Sequence, residues 1–269
     1  MGLLQRWPIG HFMKMTAQAI SYVADLIESG RLSWPPKLGE LQSQGLSGHL
    51  DECWGILAGA AKAESSARTA AWLFRQIAAE RAAQEVVASR VQPVVSGPRF
   101  ISELRQTDGA FREIIEEAKH SILIVGFAIH NGKNVLSGLA DRMRILPALE
   151  VVLCLDISRS PSDTSDDQAI IARFAERFRT REWPGGRFPK LYFDHRSLAL
   201  DLSARSSLHA KVIVADNTHV LIGSANLTDA AFSRNIEIGA SIALPHVAAS
   251  IRTHIESLVR ENVLRQVPL

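Results

Sequence analysis

The sequence predicts an α/β domain, a mixed and mainly parallel sheet flanked by helices, preceded by a small all-α N-terminal domain. Three observations predict it. Residues 1 to about 95 carry apolar side chains at three- and four-residue spacing and no strand pattern. From residue 99 onward, short apolar runs of strand type alternate with amphipathic helical stretches, the pattern of strand–helix units around a covered sheet. Between the two lies Val91–Arg99 (VQPVVSGPR), with two prolines and a glycine, which reads as a linker. The expected domains are therefore 1–95 and 99–269.

In the first half, Phe12, Ala19, Ile20, Val23, Leu26 and Ile27 mark one helix, with Gly30 as its C-cap. Trp34-Pro35-Pro36 breaks the chain. Leu41, Leu46, Leu50, Trp54 and Leu57 predict one or two short helices. Ser66 to Arg90 is an Ala-rich helix with Trp72, Leu73, Ile77, Val86 and Val87 as its apolar positions. It contains no recognition helix dense in Arg, Asn and Gln, so partner docking is the role expected of this half.

In the second half, 108–120 is an amphipathic helix with Phe111, Ile114, Ile115 and Ala118 on one face. Buried strands follow at 121–128 (SILIVGFA) and 150–156 (EVVLCLD), with a helix at 135–145 between them. A helix over 168–181 is stopped by Trp183-Pro184-Gly185-Gly186, and 190–194 (KLYFD) is a third strand. Further strands are expected near 208–215, 219–223 and 236–243, then a helix from Pro245 to about Leu264. The turn after the first strand, Gly126 to Gly132, lacks the GxGxxG spacing of a dinucleotide loop.

Apolar content of 46% with 22% charge is that of a soluble globular protein. A net charge of +2 does not by itself point to nucleic acid. Locally, residues 171–205 hold eight Arg or Lys against four Asp or Glu, an excess of four positive charges before the stretch discussed next. The two cysteines, Cys53 and Cys154, form no metal-ligand spacing, and Cys154 sits in the apolar run 151–155 as a core thiol. The first residues show neither an h-region nor a cleavage site, and Arg6 stands where a myristoylation signal needs Ser or Thr. No run approaches 18 apolar residues. A cytoplasmic protein without membrane contact is expected.

Leu208 to Gly239 (LHAKVIVADNTHVLIGSANLTDAAFSRNIEIG) sets isolated polar residues among apolar strand runs. His209 and Lys211, at i and i+2, share one face of a strand. Asn226 follows a Gly-Ser turn, and Asn235 and Glu237 repeat the i, i+2 spacing. An imidazole, a fixed positive charge, amide and hydroxyl donors and one carboxylate suit phosphoryl chemistry, where catalysis is mainly electrostatic. The imidazole can attack phosphorus, and Glu237 on its other nitrogen is expected to fix its tautomer. A lysine two residues from the histidine opposes a cation there, so no metal and no other cofactor is expected. Asp216-Asn217 before His219 reads as a β-turn, which gives Asp216 a structural role.

The spacing His209-x-Lys211-x4-Asp216-x6-Gly223-Ser224-x-Asn226 resembles the HKD signature of the phospholipase D superfamily. Arg234-Asn235-x-Glu237-x-Gly239 resembles the segment that follows it, and 99–269 looks like one phospholipase-D-like repeat. With a helical half before a single repeat, the chain is similar to the phospholipase-D-like component of DISARM-type anti-phage defence systems. The resemblance implies catalysis by His209, Lys211, Asn226 and Glu237, and substrate binding by Ser224, Gly223 and Asn235. It also implies two facing HKD histidines. His11, His49, His120 and His130 are not followed by x-Lys, so the second must come from a homodimer. The expected function is a metal-independent nuclease using a phosphohistidine intermediate in anti-phage defence. Its expected partners are nucleic acid, taken to be DNA, a second copy, and other defence proteins on the helical half. The alternatives are a phospholipase or phosphatidyltransferase, for which no basic amphipathic anchor is seen, and a non-catalytic component of a defence complex.

Overall fold

The structure, a computed structural model, describes residues 15–98 and 104–269. Phe12 and Arg99, named above, lie outside the described residues. The chain divides into two compact units, one ending at Ser89 and one running from Arg90 to Leu269.

The described part of the first unit is helical, with α1 (Ala17–Glu28), α2 (Leu38–Ser43), α3 (Leu50–Lys62) and α4 (Ala67–Ser89). Thr16 caps α1, its hydroxyl accepting from the Ala19 N–H at 3.2 Å. Ile20, Val23, Leu26 and Ile27 of α1 share a core with Ala70, Ala71, Phe74 and Ala78 of α4. This corrects the apolar face expected for α4. Trp72 is 60% exposed and Val86 and Val87 are exposed too. Ala70, Ala71, Phe74 and Ala78, at three- and four-residue spacing, face α1 instead, and the small alanine side chains admit a close helix pair. Arg75 of α4 closes this contact with hydrogen bonds to Asp25 and Glu28.

The second unit opens with a correction. Val91–Ser96, expected as linker, is strand β1. It pairs antiparallel with β10 (Glu237–Ile242), from Val91 opposite Ile242 to Ser96 opposite Glu237. On its other side β2 (Arg105–Gln106) covers only Val94 and Val95. Among the described residues Pro93 lies outside the pairing of β1 with β2, a place that tolerates a residue without an N–H. The expected domain boundary moves accordingly from residue 95 to residue 89.

After α5 (Thr107–Glu117) come β3 (Ser121–Gly126), β4 (Ile129–His130), α6 (Gly132–Val135), α7 (Ser137–Ile145) and β5 (Glu150–Leu155). Next are α8 (Asp167–Arg177), a π-helical turn at Phe178–Glu182, and β6 (Lys190–Asp194). Then follow β7 (Val212–Ala215), β8 (His219–Gly223), β9 (Leu227–Thr228), α9 (Asp229–Ser233), β10, α10 (Pro245–Arg260) and β11 (Leu264–Gln266). The strands form a mixed sheet in the order β11-β6-β5-β3-β7-β8-β10-β1-β2, with β4 and β9 paired separately. Parallel pairing joins β3, β5 and β6, the strands separated by helices, and β1 to β2. The strands β7, β8 and β10 pair antiparallel, because a tight turn rather than a helix joins the first two. In that turn Asp216 and Asn217 both have positive φ, and the Thr218 N–H donates to the Ala215 carbonyl at 3.0 Å.

Alternation along the strands divides the core. Ile122 and Ile124 pack on the side of α5, α7 and α8, with Phe111, Leu139 and Phe174. Leu123 and Val125 pack on the side of α10, with Ala248 and Ile255. Helices cover both faces, as the sequence predicts.

Candidate active site

The site lies at one end of the sheet, and strand direction explains why. Phe127 follows the C-terminal end of β3, and Asp156 follows that of β5. The strand β7 runs antiparallel to β3, so its start, preceded by His209 and Lys211, returns to that end. The end of β8, with Gly223-Ser224, and the start of β10, with Glu237, arrive there by the same alternation.

His209 and Lys211 precede β7 rather than lying in it, which shortens the strand expected at 208–215. The ladder still reaches Lys211, whose carbonyl accepts from the Gly223 N–H at 3.2 Å. The two side chains meet as the i, i+2 spacing predicts. Lys211 Nζ donates to the His209 carbonyl at 2.9 Å and lies 3.2 Å from Nδ1 and 3.4 Å from Nε2 of the ring. The Phe127 ring packs on His209 with centroids 4.7 Å apart and a 53° tilt. Lys211 Nζ stands 5.4 Å from the Phe127 centroid, within cation–π range. Burial lowers the pKa of the Lys211 ammonium, and the Glu237 carboxylate works against that shift.

Glu237 accepts hydrogen bonds from the Ser224 hydroxyl and from Asn235 Nδ2, the latter at 3.2 Å. The Ile238 N–H donates to Ser224 Oγ at 3.2 Å. This corrects the expected link between Glu237 and the second nitrogen of His209. The hydrogen bonds of Glu237 go to Ser224 and Asn235, and its charge acts on Lys211. Gly223 stands opposite Gly239, and the pairing of β8 with β10 requires both. A Cβ on Gly239 would come 2.4 Å from the Ile222 carbonyl oxygen, and one on Gly223 would come 3.0 Å from Gly239 Cα.

Asn226 stands beside this cluster without joining it. Its Oδ1 is buried with no hydrogen-bond partner, and its carbonyl accepts from the Thr228 N–H at 2.8 Å. Asp216 lies at the far end of β7. Its carboxylate accepts from the N–H groups of Lys119, His120 and Ser121 at 2.7–2.8 Å, so it fastens the turn to the start of β3. Burial raises its pKa, but these three donors outweigh that and hold it below the usual range.

The sequence reading missed Phe127 and Asp156. Phe127 extends an apolar run and looks like more core. Asp156 closes EVVLCLD, and a lone carboxylate ending a buried run is a signal that was available. It accepts from the Leu208 N–H at 2.9 Å and from Ser207 Oγ at 3.5 Å, beside His209. Among the described residues no group of three or more His, Cys, Asp or Glu is placed to hold a metal ion. No described helix is long and apolar enough to cross a membrane.

Comparison with known proteins places these features in context. Residues 111–259, more than half of the chain, match the family described as "Cardiolipin synthase, PLD-like domain". The DISARM protein DrmC of Bacillus paralicheniformis is 28% identical over 182 residues, covering 66% of this chain and 67% of that protein. Among solved structures, Nuc of Salmonella typhimurium, a phospholipase D family member, aligns with 22% identity and a TM-score of 0.42, over 65% of this chain and 96% of its own. NucT of Helicobacter pylori aligns with 14% identity and a TM-score of 0.43, over 66% and 99%.

Proposed function

The chain belongs to the phospholipase-D-like family, and from that premise we propose that it is a metal-independent nuclease acting in anti-phage defence. The observation that carries this reading is the His209–Lys211 pair, side by side at the end of the sheet with Ser224, Asn235 and Glu237 around it. His209 attacks phosphorus, an N–P bond forms, and the P–O bond to the leaving oxygen breaks. The leaving oxygen takes a proton from His209 of a second copy. That second imidazole then takes a proton from water, which attacks phosphorus and releases His209. Lys211 balances charge on the non-bridging oxygens. Asn226, Ser224 and Asn235 supply polar groups beside it, and Asp216 keeps the hairpin in place.

Several observations support the finer parts. Residues 171–205 carry four excess positive charges before the site, which favours a polyanion such as DNA. Ile236 and Ile238 are 81% and 68% exposed next to Glu237, apolar surface that a second copy would cover. The likeness to DISARM protein DrmC supports a place in defence, and the helical unit offers a surface for other components.

Purified protein is expected to sediment as a dimer and to cleave DNA in EDTA, and His209→Ala is expected to abolish cleavage. Cleavage that requires metal and survives His209→Ala would refute the mechanism. Hydrolysis of phospholipid vesicles without cleavage of DNA would move the assignment to a phospholipase or phosphatidyltransferase. No reaction on either substrate would leave the role of a non-catalytic defence component.

A further inference from the structure

His209 has no regular secondary structure to hold it. The chain from Arg205 to Lys211 is irregular, yet an attacking imidazole must be fixed against phosphorus. Two carboxylates take up the polar groups of this segment. They stand at the C-terminal ends of neighbouring parallel strands, Asp194 at the end of β6 and Asp156 just past β5. Asp194 accepts from Ser206 Oγ at 2.8 Å, but it is also paired with Arg196, whose Nε and Nη2 donate at 3.0 and 2.7 Å. It is a buried carboxylate with its own cation.

Asp156 differs. Among the described residues it has no ion-pair partner, and its hydrogen bonds go to Ser207 Oγ and to the N–H of Leu208, the residue joined to His209. Burial raises its pKa, against which the Leu208 and Ser207 donors and the nearby His209 act. A carboxylate held at a desolvation cost, with both its hydrogen bonds spent on two adjacent residues, is not a generic strand end.

We propose that Asp156 is a positioning residue for His209, anchoring the backbone at Leu208 so that the imidazole meets the scissile phosphorus in line. The proposal rests on the phosphodiesterase reading above and adds to it the group that sets the nucleophile's place. The working part is the acceptor oxygen facing the Leu208 N–H. Asn keeps such an oxygen, and Ala does not.

The test uses the full chain, with bis(p-nitrophenyl) phosphate as substrate and the His209 ring signal in a histidine-selective NMR spectrum as a second readout. That signal is assigned by its loss in His209→Gln. Asp156→Ala is expected to lower kcat by about 10- to 100-fold with KM nearly unchanged, the scale of a misplaced nucleophile, and to shift or broaden the His209 signal. Asp156→Asn is expected to keep kcat within about threefold, with a wild-type His209 signal. Wild-type kcat and an unmoved signal in Asp156→Ala would overturn the proposal. So would an Asp156→Asn variant as impaired as Asp156→Ala, since charge rather than the acceptor would then be at work. If Asp156→Ala fails to fold, Asp156→Ser, polar but too short to reach Leu208, replaces it with the same two outcomes. If the wild-type protein cleaves no phosphodiester, the functional reading falls, and the NMR arm still decides whether Asp156 places the ring.

Discussion

Lys211 has two tasks that pull in different directions. Its ammonium donates to the His209 carbonyl and lies against both ring nitrogens, which orders the pair. It must also stay charged to meet a phosphate, although burial disfavours the charge. Glu237 keeps the balance, and Ser224 and Asn235 keep Glu237 in place. Lys211→Met, similar in length but uncharged, is expected to lower kcat on a phosphodiester by about 10²- to 10³-fold, with an unaltered far-UV spectrum, as steady-state kinetics would show. His209, Lys211, Ser224, Asn235 and Glu237 were legible because polar residues at strand spacing amid apolar runs have no packing reason to be there. Phe127 was not, because an aromatic residue after a buried strand looks the same whether it faces the core or the His209 ring. The partner of Glu237 was misjudged for a related reason. Spacing shows which residues share a region, not which of three donors is nearest a given carboxylate oxygen.

At the level of elements, the β7–β8 hairpin carries the site at one end and its fastening at the other. Asp216 is that fastening, gripping three successive N–H groups at the start of β3. Asp216→Asn keeps the tolerance of positive φ but loses charge and one acceptor oxygen. It is expected to cost about 1–3 kcal/mol in urea unfolding at pH 7. The pH dependence has a definite sign. A carboxyl whose folded pKa lies below its unfolded value stabilises fully above the unfolded value, here 3.8, and the benefit fades as pH falls through the folded value. The gap between wild type and Asp216→Asn should therefore narrow on acidification below about pH 3.8, and a gap constant from pH 7 to pH 3 would contradict the assignment. The turn itself was readable from Asp216-Asn217. Its hold on residues 119–121 was not, since no local pattern links segments so far apart in the chain.

Across the whole molecule, the two units have separate cores, and β1 belongs to the second. Prolines and a glycine hid this strand, because turn-forming residues are read by composition while strand membership is decided by what lies alongside. Removing residues 1–89 should leave a protein with the circular dichroism and melting transition of the α/β unit. Removing residues 1–98 also strips β10 of its neighbour and should lower the melting temperature or cause aggregation. Equal behaviour of the two truncations would count against β1. The same strand has a bearing on how the protein comes into being. Its partners in β10 lie more than 140 residues further along, so on the ribosome β1 emerges early and waits, with only the short β2 beside it, for β10 to be synthesised. The loop to be closed is long and the contact is non-local, which slows folding and prolongs exposure of a sticky edge. The end of the sheet that holds His209 and Lys211 is completed by β10, so it cannot be assembled, nor any activity that depends on it appear, before β10 has been made.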